Sequence, residues 1–113
     1  VRVTVAATAR SRTSDDPVTV VALAGELDLA AAPALAHMLT ELMRDGAADV
    51  ILDLSEVEFM DGAGLGLLVN AHDDGAKFGR RLAVVNCGRQ VRRLLAVVEA
   101  ERLLADGEER RVG

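Results

Sequence analysis

Apolar and polar positions alternate at the start of the chain, where Val3, Val5 and Ala7 interleave with Arg2, Thr4 and Ala6. A period of two residues is that of a half-exposed strand. Residues 10–17 gather Ser, Thr, Asp and Pro and read as a turn or short loop. The next run, VTVVALA at 18–24, is β-rich and almost continuously apolar, so it predicts a second strand lying deeper in a sheet. Gly25 and Asp28 break that pattern.

The period then changes. Across residues 30–44, Leu35, Leu39 and Leu42, flanked by Met38 and Met43, recur at helical spacing. Pro33 is tolerated there because it falls near the helix start, and Gly46 suits the end. DVILDL at 49–54 and LAVV at 82–85 are short buried strands. Between them the spacing predicts a helix over 62–77, and after them a third over 89–100, with Val91, Leu94, Leu95 and Val98 on one stripe. The order β-β-α-β-α-β-α contains two strand-helix-strand crossovers, which are right-handed and pair the second, third and fourth strands in parallel. The first strand is expected antiparallel on an edge. The expected fold class is therefore α/β, with a mixed, mostly parallel sheet and packed helices. No repeat, low-complexity tract or linker divides the chain, so residues 1–113 are read as one domain.

Composition narrows the function classes. Half of the 113 residues are apolar and about a quarter charged, which favours a globular fold over disorder. The net charge is −5 and the only aromatics are Phe59 and Phe78. Nucleic-acid binding, which needs a basic footprint and commonly aromatic platforms, is not expected. Apolar stretches such as residues 29–32 fall far short of the roughly 20 residues that span a bilayer. No basic start followed by an apolar targeting segment appears. With Cys87 as the single cysteine there is no internal disulfide. A cytoplasmic location is expected.

The centre of the chain, SEVEFMDGAGLGLL at 55–68, runs from a strand into a helix through a glycine-rich junction. Asp61 precedes the helix, where a carboxylate accepts a hydrogen bond from a first-turn N–H and faces the positive end of the helix dipole. It is read as an N-cap, because nothing nearby completes a catalytic set. Gly62, Gly64 and Gly66 do not make a dinucleotide loop, since the pattern G-x-G-x-x-G would need its third glycine where Leu67 stands. The lysine of a P-loop is missing as well. His37 and His72 are the only histidines, and with one cysteine they predict no structural zinc site. Met38, Met43 and Met60 are core filler. Arg80, Arg81, Arg89, Arg92 and Arg93 form a basic run that suits either an acidic partner or a solvated helix face. No catalytic residue, cofactor or metal is assigned.

The arrangement LDLSEVEFMDGAGLGLLVNA, the strand LAVVN, the segment VRRLLAVVEAERLL and GELD at 25–28 together resemble the STAS domain of anti-sigma factor antagonists. That resemblance implies a partner-switching role: binding an anti-sigma factor, usually a serine kinase of the histidine-kinase-like ATPase fold, and so freeing a sigma factor. STAS-like proteins also occur as cytoplasmic subunits of ABC lipid-transport assemblies, which is the alternative. The family's interaction surface maps onto Asp61, Gly62, Ala63, Gly64, Leu65 and Gly66, with Asp28 in the adjoining loop. The family's phosphoacceptor, a serine or threonine after the Asp in a D-S-S-G-like motif, falls on Gly62 with Ala63 next, and neither has a hydroxyl. Phosphorylation would bring about −1.5 to −2 charges to that surface; its loss leaves protein level, another ligand or Cys87 oxidation as routes of control. Two readings of the glycines stay open here: they expose backbone to a partner, or they permit the turn and close helix packing. The resemblance leaves the oligomeric state open.

Overall fold

A computed structural model describes residues 1–10 and 17–97. Strand β1 (Arg2–Arg10) is followed by β2 (Pro17–Leu27), α1 (Ala32–Arg44), β3 (Asp49–Met60), α2 (Gly62–Lys77), β4 (Leu82–Val85) and α3 (Arg89–Val97). The sheet order is β1-β2-β3-β4, with β1 antiparallel to β2 and the other pairs parallel. This is the order and pairing that the hydrophobic periods predict. The last residues of the predicted third helix, Val98 among them, lie outside the described residues, as do Ser11 and Ser14 in the expected turn.

One face of the sheet carries the core. Val21 and Leu23 on β2, Leu52 and Leu54 on β3, and Leu82 and Val84 on β4 are buried, while Ile51, Asp53, Ala83 and Val85 between them stay half-exposed. Because both crossovers step the same way along the sheet, right-handedness places α1 and α2 on the same face. Leu35, Leu39 and Met43 of α1 and Leu65, Leu68 and Ala71 of α2 fill the space between them. Val91 and Leu95 of α3 join the same cluster. Each fully buried Leu of this set stabilises the fold by about 1.5–3 kcal/mol of apolar transfer.

The strands are longer than the hydrophobic runs suggest. β2 continues past Ala24 to Leu27, and β3 continues past Leu54 to Met60. Two irregularities make this possible: the pairing shifts once between Ala22 and Ala24 and again between Gly25 and Glu26, each admitting one extra residue in β3. Gly25 sits at φ +95°, a left-handed conformation that a side chain would resist. The broken alternation at Ser55, Glu56, Val57 and Glu58 is therefore a bulged strand and not a loop. α1 begins at Ala32, two residues later than its apolar period. At its end Ala47, and not Gly46, takes the positive φ.

The middle of β3 is also tied sideways. Asp53 accepts from the Ser55 N–H at 2.9 Å and from Asn86 Nδ2 at 3.2 Å. The Ser55 backbone bond holds the Asp53 carboxyl below the usual Asp range against partial burial, with the Ser55 and Asn86 side chains adding to it. A carboxyl depressed in the folded state stabilises fully above its unfolded value of about 3.9 and loses that contribution as pH falls through the lower folded value. Thermal midpoints measured from neutral to acid pH should drop less steeply below about pH 4 in Asp53→Asn than in the parent chain; parallel acid limbs would show that Asp53 is not linked to folding.

Candidate functional site

β2 and β3 end together, Leu27 opposite Met60. Both side chains are buried, and the chain leaves both strands at the same end of the sheet. After Met60 it turns through Asp61, which is extended at φ −102°, ψ −176°. Asp61 donates its N–H to the Leu27 carbonyl at 3.3 Å. Its Oδ1 accepts from the Gly64 N–H at 3.0 Å, and its carbonyl accepts from the Leu65 N–H at 3.0 Å. Asp61 is thus the N-cap of α2 by geometry, a bond of about 1 kcal/mol in similar helices.

The glycines of the junction divide. A methyl built on Gly64 would collide with the Leu27 carbonyl and lie 3.0 Å from both Leu27 Cγ and Met60 Cγ. Only glycine lets the first turn of α2 rest on the end of β2. At Gly62 and Gly66 a methyl would meet nothing within 4 Å. Gly62 is exposed, and Ala63 and Gly66 are half-buried. Leu65, 6% exposed, belongs to the core with Leu68. Within the expected contact surface, Gly64 and Leu65 are buried and pack beneath the entrance. Asp28 lies at the same end, half-buried, its Oδ1 and its carbonyl both accepting from the Ala31 N–H at 3.1 Å. It shapes the turn into α1, whose own N-cap, Ala31, has no capping side chain.

Two features carry no signal in the sequence. Gln90, in the first turn of α3, donates Nε2–H to the Met60 carbonyl at 3.0 Å and accepts the Met60 N–H on Oε1 at 3.2 Å. One side-chain amide thus pairs with both polar groups of the last β3 residue, thirty positions away, and only the three-dimensional fold reveals it. Leu29 and Phe59, 73% and 46% exposed, stand two residues after Leu27 and one residue before Met60. In the sequence Leu29 is one member of an apolar run and Phe59 one of two aromatics.

The remaining candidates lie elsewhere. His37 Nε2 is 2.9 Å from Glu41 on the outer face of α1, and His72 Nδ1 is 3.0 Å from Asp73 at the edge of α2. Among the described residues no group of three or more His, Cys, Asp or Glu is arranged to hold a metal, and no helix is long and apolar enough to cross a membrane. Arg80 donates to the Ala47 carbonyl at 3.0 Å, so one member of the basic run braces the loop before β3. Met43 and Met60 are buried as core residues.

The mixed four-stranded sheet, with a helix entrance offered at the ends of its parallel strands, defines a domain class. The STAS domain family model matches residues 9–109, and the chain belongs to that family. The chain is 29% identical over 92 residues to an anti-sigma-B factor antagonist of Staphylococcus aureus strain NCTC 8325 / PS 47, covering 81% of this chain and 85% of that one. The crystal structure of an anti-sigma factor antagonist from Mycobacterium paratuberculosis superposes with a TM-score of 0.67 at 27% identity, over 91% of this chain and 83% of the other. The Bacillus cell fate determinant SpoIIAA in its phosphorylated form shares the fold, with a TM-score of 0.62 at 21% identity over 92% and 96% of the two chains.

The split among the glycines is testable by stability. Gly66→Ala should leave the denaturant midpoint unchanged or raise stability by up to about 1 kcal/mol, since alanine favours a helix interior. Gly64→Ala should lower stability by about 2 kcal/mol or more through overpacking against Leu27. Equal effects of the two substitutions would contradict the close approach.

Proposed function

We propose that this chain is an anti-sigma factor antagonist that binds its anti-sigma factor at the α2 entrance and lacks the phosphorylation switch there. Three supports carry the reading. The relatives just described bear the antagonist name and match most of the chain, which favours sigma regulation over a subunit of an ABC lipid-transport assembly. The entrance is held by the Asp61 cap and by Gln90, so a partner meets a surface that needs little ordering on binding. Finally, Gly66 forgoes helix propensity of about 0.5–1 kcal/mol without any packing return, and Gly62 at the first helical position likewise has no neighbour that requires a glycine. A backbone left bare beside a fixed cap suits close approach by another protein.

The single observation behind the missing switch is the pair Gly62–Ala63. Where the family resemblance expects a hydroxyl, the first turn of α2 presents a hydrogen and a methyl group. Neither side chain has an oxygen to take a phosphoryl group from ATP. In a switchable antagonist the added phosphate, with about −1.5 to −2 charges, alters docking against the partner. Here affinity for a kinase-type anti-sigma factor is instead constant in time, and the amount of antagonist sets how much sigma factor is released. Asp28, Asp61, Gly62, Ala63 and Gly66 form the contact, with Gly64 and Leu65 as its support.

Incubation with the anti-sigma kinase and ATP tests this by intact-mass measurement. The parent chain should gain no phosphate. Because a methyl at 62 meets only open space, Gly62→Ser, Ala63→Ser and the double variant should fold, and one of them should gain a single phosphate. Stoichiometric phosphate on the parent chain would contradict the proposal; its absence from all three serine variants would contradict the assignment of this turn to the kinase.

A further inference from the structure

We infer that Leu29 and Phe59 are the anchoring side chains of this surface, and that the partner offers them an apolar socket edged with Lys or Arg opposite Glu26 and Glu58; this rests on the function proposed above.

Five large apolar side chains stand exposed among the described residues: Val1, Val5, Leu29, Phe59 and Phe78. Val5 lies on the outer strand, Val1 precedes that strand and comes close to Gly25, and Phe78 follows α2 at the opposite end of that helix from Gly62. Leu29 and Phe59 lie within two residues of the Leu27–Met60 pair that leads into the α2 entrance. Phe59 is paired with Glu26, one step before the Leu27–Met60 pair, and Leu29 is two residues beyond Leu27. Single exposed apolar residues are ordinary on a protein surface. Two close to one end of a sheet, near a braced backbone turn, offer apolar area that loses its contact with water when a partner covers it. Aromatic side chains in such positions commonly dominate binding energy.

Charge states the chemistry of what covers it. The stretches that lead to and from this end, residues 25–32 and 56–66, contain Glu26, Asp28, Glu56, Glu58 and Asp61 but no Lys or Arg. Glu56 is 3.6 Å from Arg2. Glu26, opposite Phe59 on β2, and Glu58, its neighbour along β3, are both exposed. Across the junction, Gln90 brings Arg89 and Arg93 of α3 to the other flank. The surface is thus polarised, acidic around Phe59 and basic along α3. A partner fitting it places cations toward the strand ends, and like charges there would be repelled.

Calorimetric titration of a purified kinase-type anti-sigma factor into the parent chain, Leu29→Ser, Phe59→Ala, Glu26→Gln/Glu58→Gln and Phe78→Ser tests this. Leu29→Ser and Phe59→Ala should each raise Kd roughly tenfold or more, while Phe78→Ser should not change it. The double Gln variant should bind with a flatter dependence on salt. Leu29 is exposed enough that its substitution leaves folding intact, so it decides the matter alone if Phe59→Ala fails to fold. A parent chain that binds while Leu29→Ser binds equally well overturns this inference and leaves the proposed function standing. A parent chain that does not bind overturns the proposed function, and this inference with it.

Discussion

The contact between the Leu27 carbonyl and the first turn of α2 is the constraint on which the rest of the molecule depends. It requires β2 and β3 to finish opposite each other, although β3 has to take up two more residues than β2 over the same run. It requires residue 64 to lack a side chain. The same carbonyl takes the Asp61 N–H, and Asp61 in turn takes the Gly64 N–H. The polar bonds contribute about 1 kcal/mol each, whereas a methyl forced against the carbonyl costs more than any one of them. Sterics therefore set the position of the helix, and hydrogen bonds fix its angle.

Much of this is legible in the chain. The switch from a two-residue to a helical period gives every element in order, and the handedness of crossovers gives the pairing. The N-cap role of Asp61 is implied by its place before an apolar helix. Hidden from the sequence are features set by partners distant along it. The bulged half of β3 looks like a loop because its alternation is broken, and only pairing with β2 keeps it a strand. Three similar glycines cannot be told apart until the Leu27 carbonyl is seen beneath one of them. Gln90 has no local signal at all, since its worth lies in a backbone thirty residues away.

This division of labour bears on the proposed function. Leu27, Met60, Gly64 and Leu65 are inside and hold the entrance; Gly62 is exposed, with Ala63 and Gly66 half-buried. The family resemblance alone would give all of 61–66 to the partner. In the folded chain part of that motif belongs to the core, so its residues differ in their tolerance to change. A Cβ at 62 would meet nothing within 4 Å, so packing does not account for the absence of a hydroxyl-bearing side chain there.

The most direct measurement is a backbone amide shift map of the 15N-labelled chain titrated with a purified kinase-type anti-sigma factor. The largest perturbations are expected at Leu29, Phe59, Gly62, Ala63 and Gly66, with little change along the outer edge of β1 or at Phe78. Perturbations concentrated on β1 or around Phe78, with the α2 entrance silent, would contradict binding at this end of the sheet.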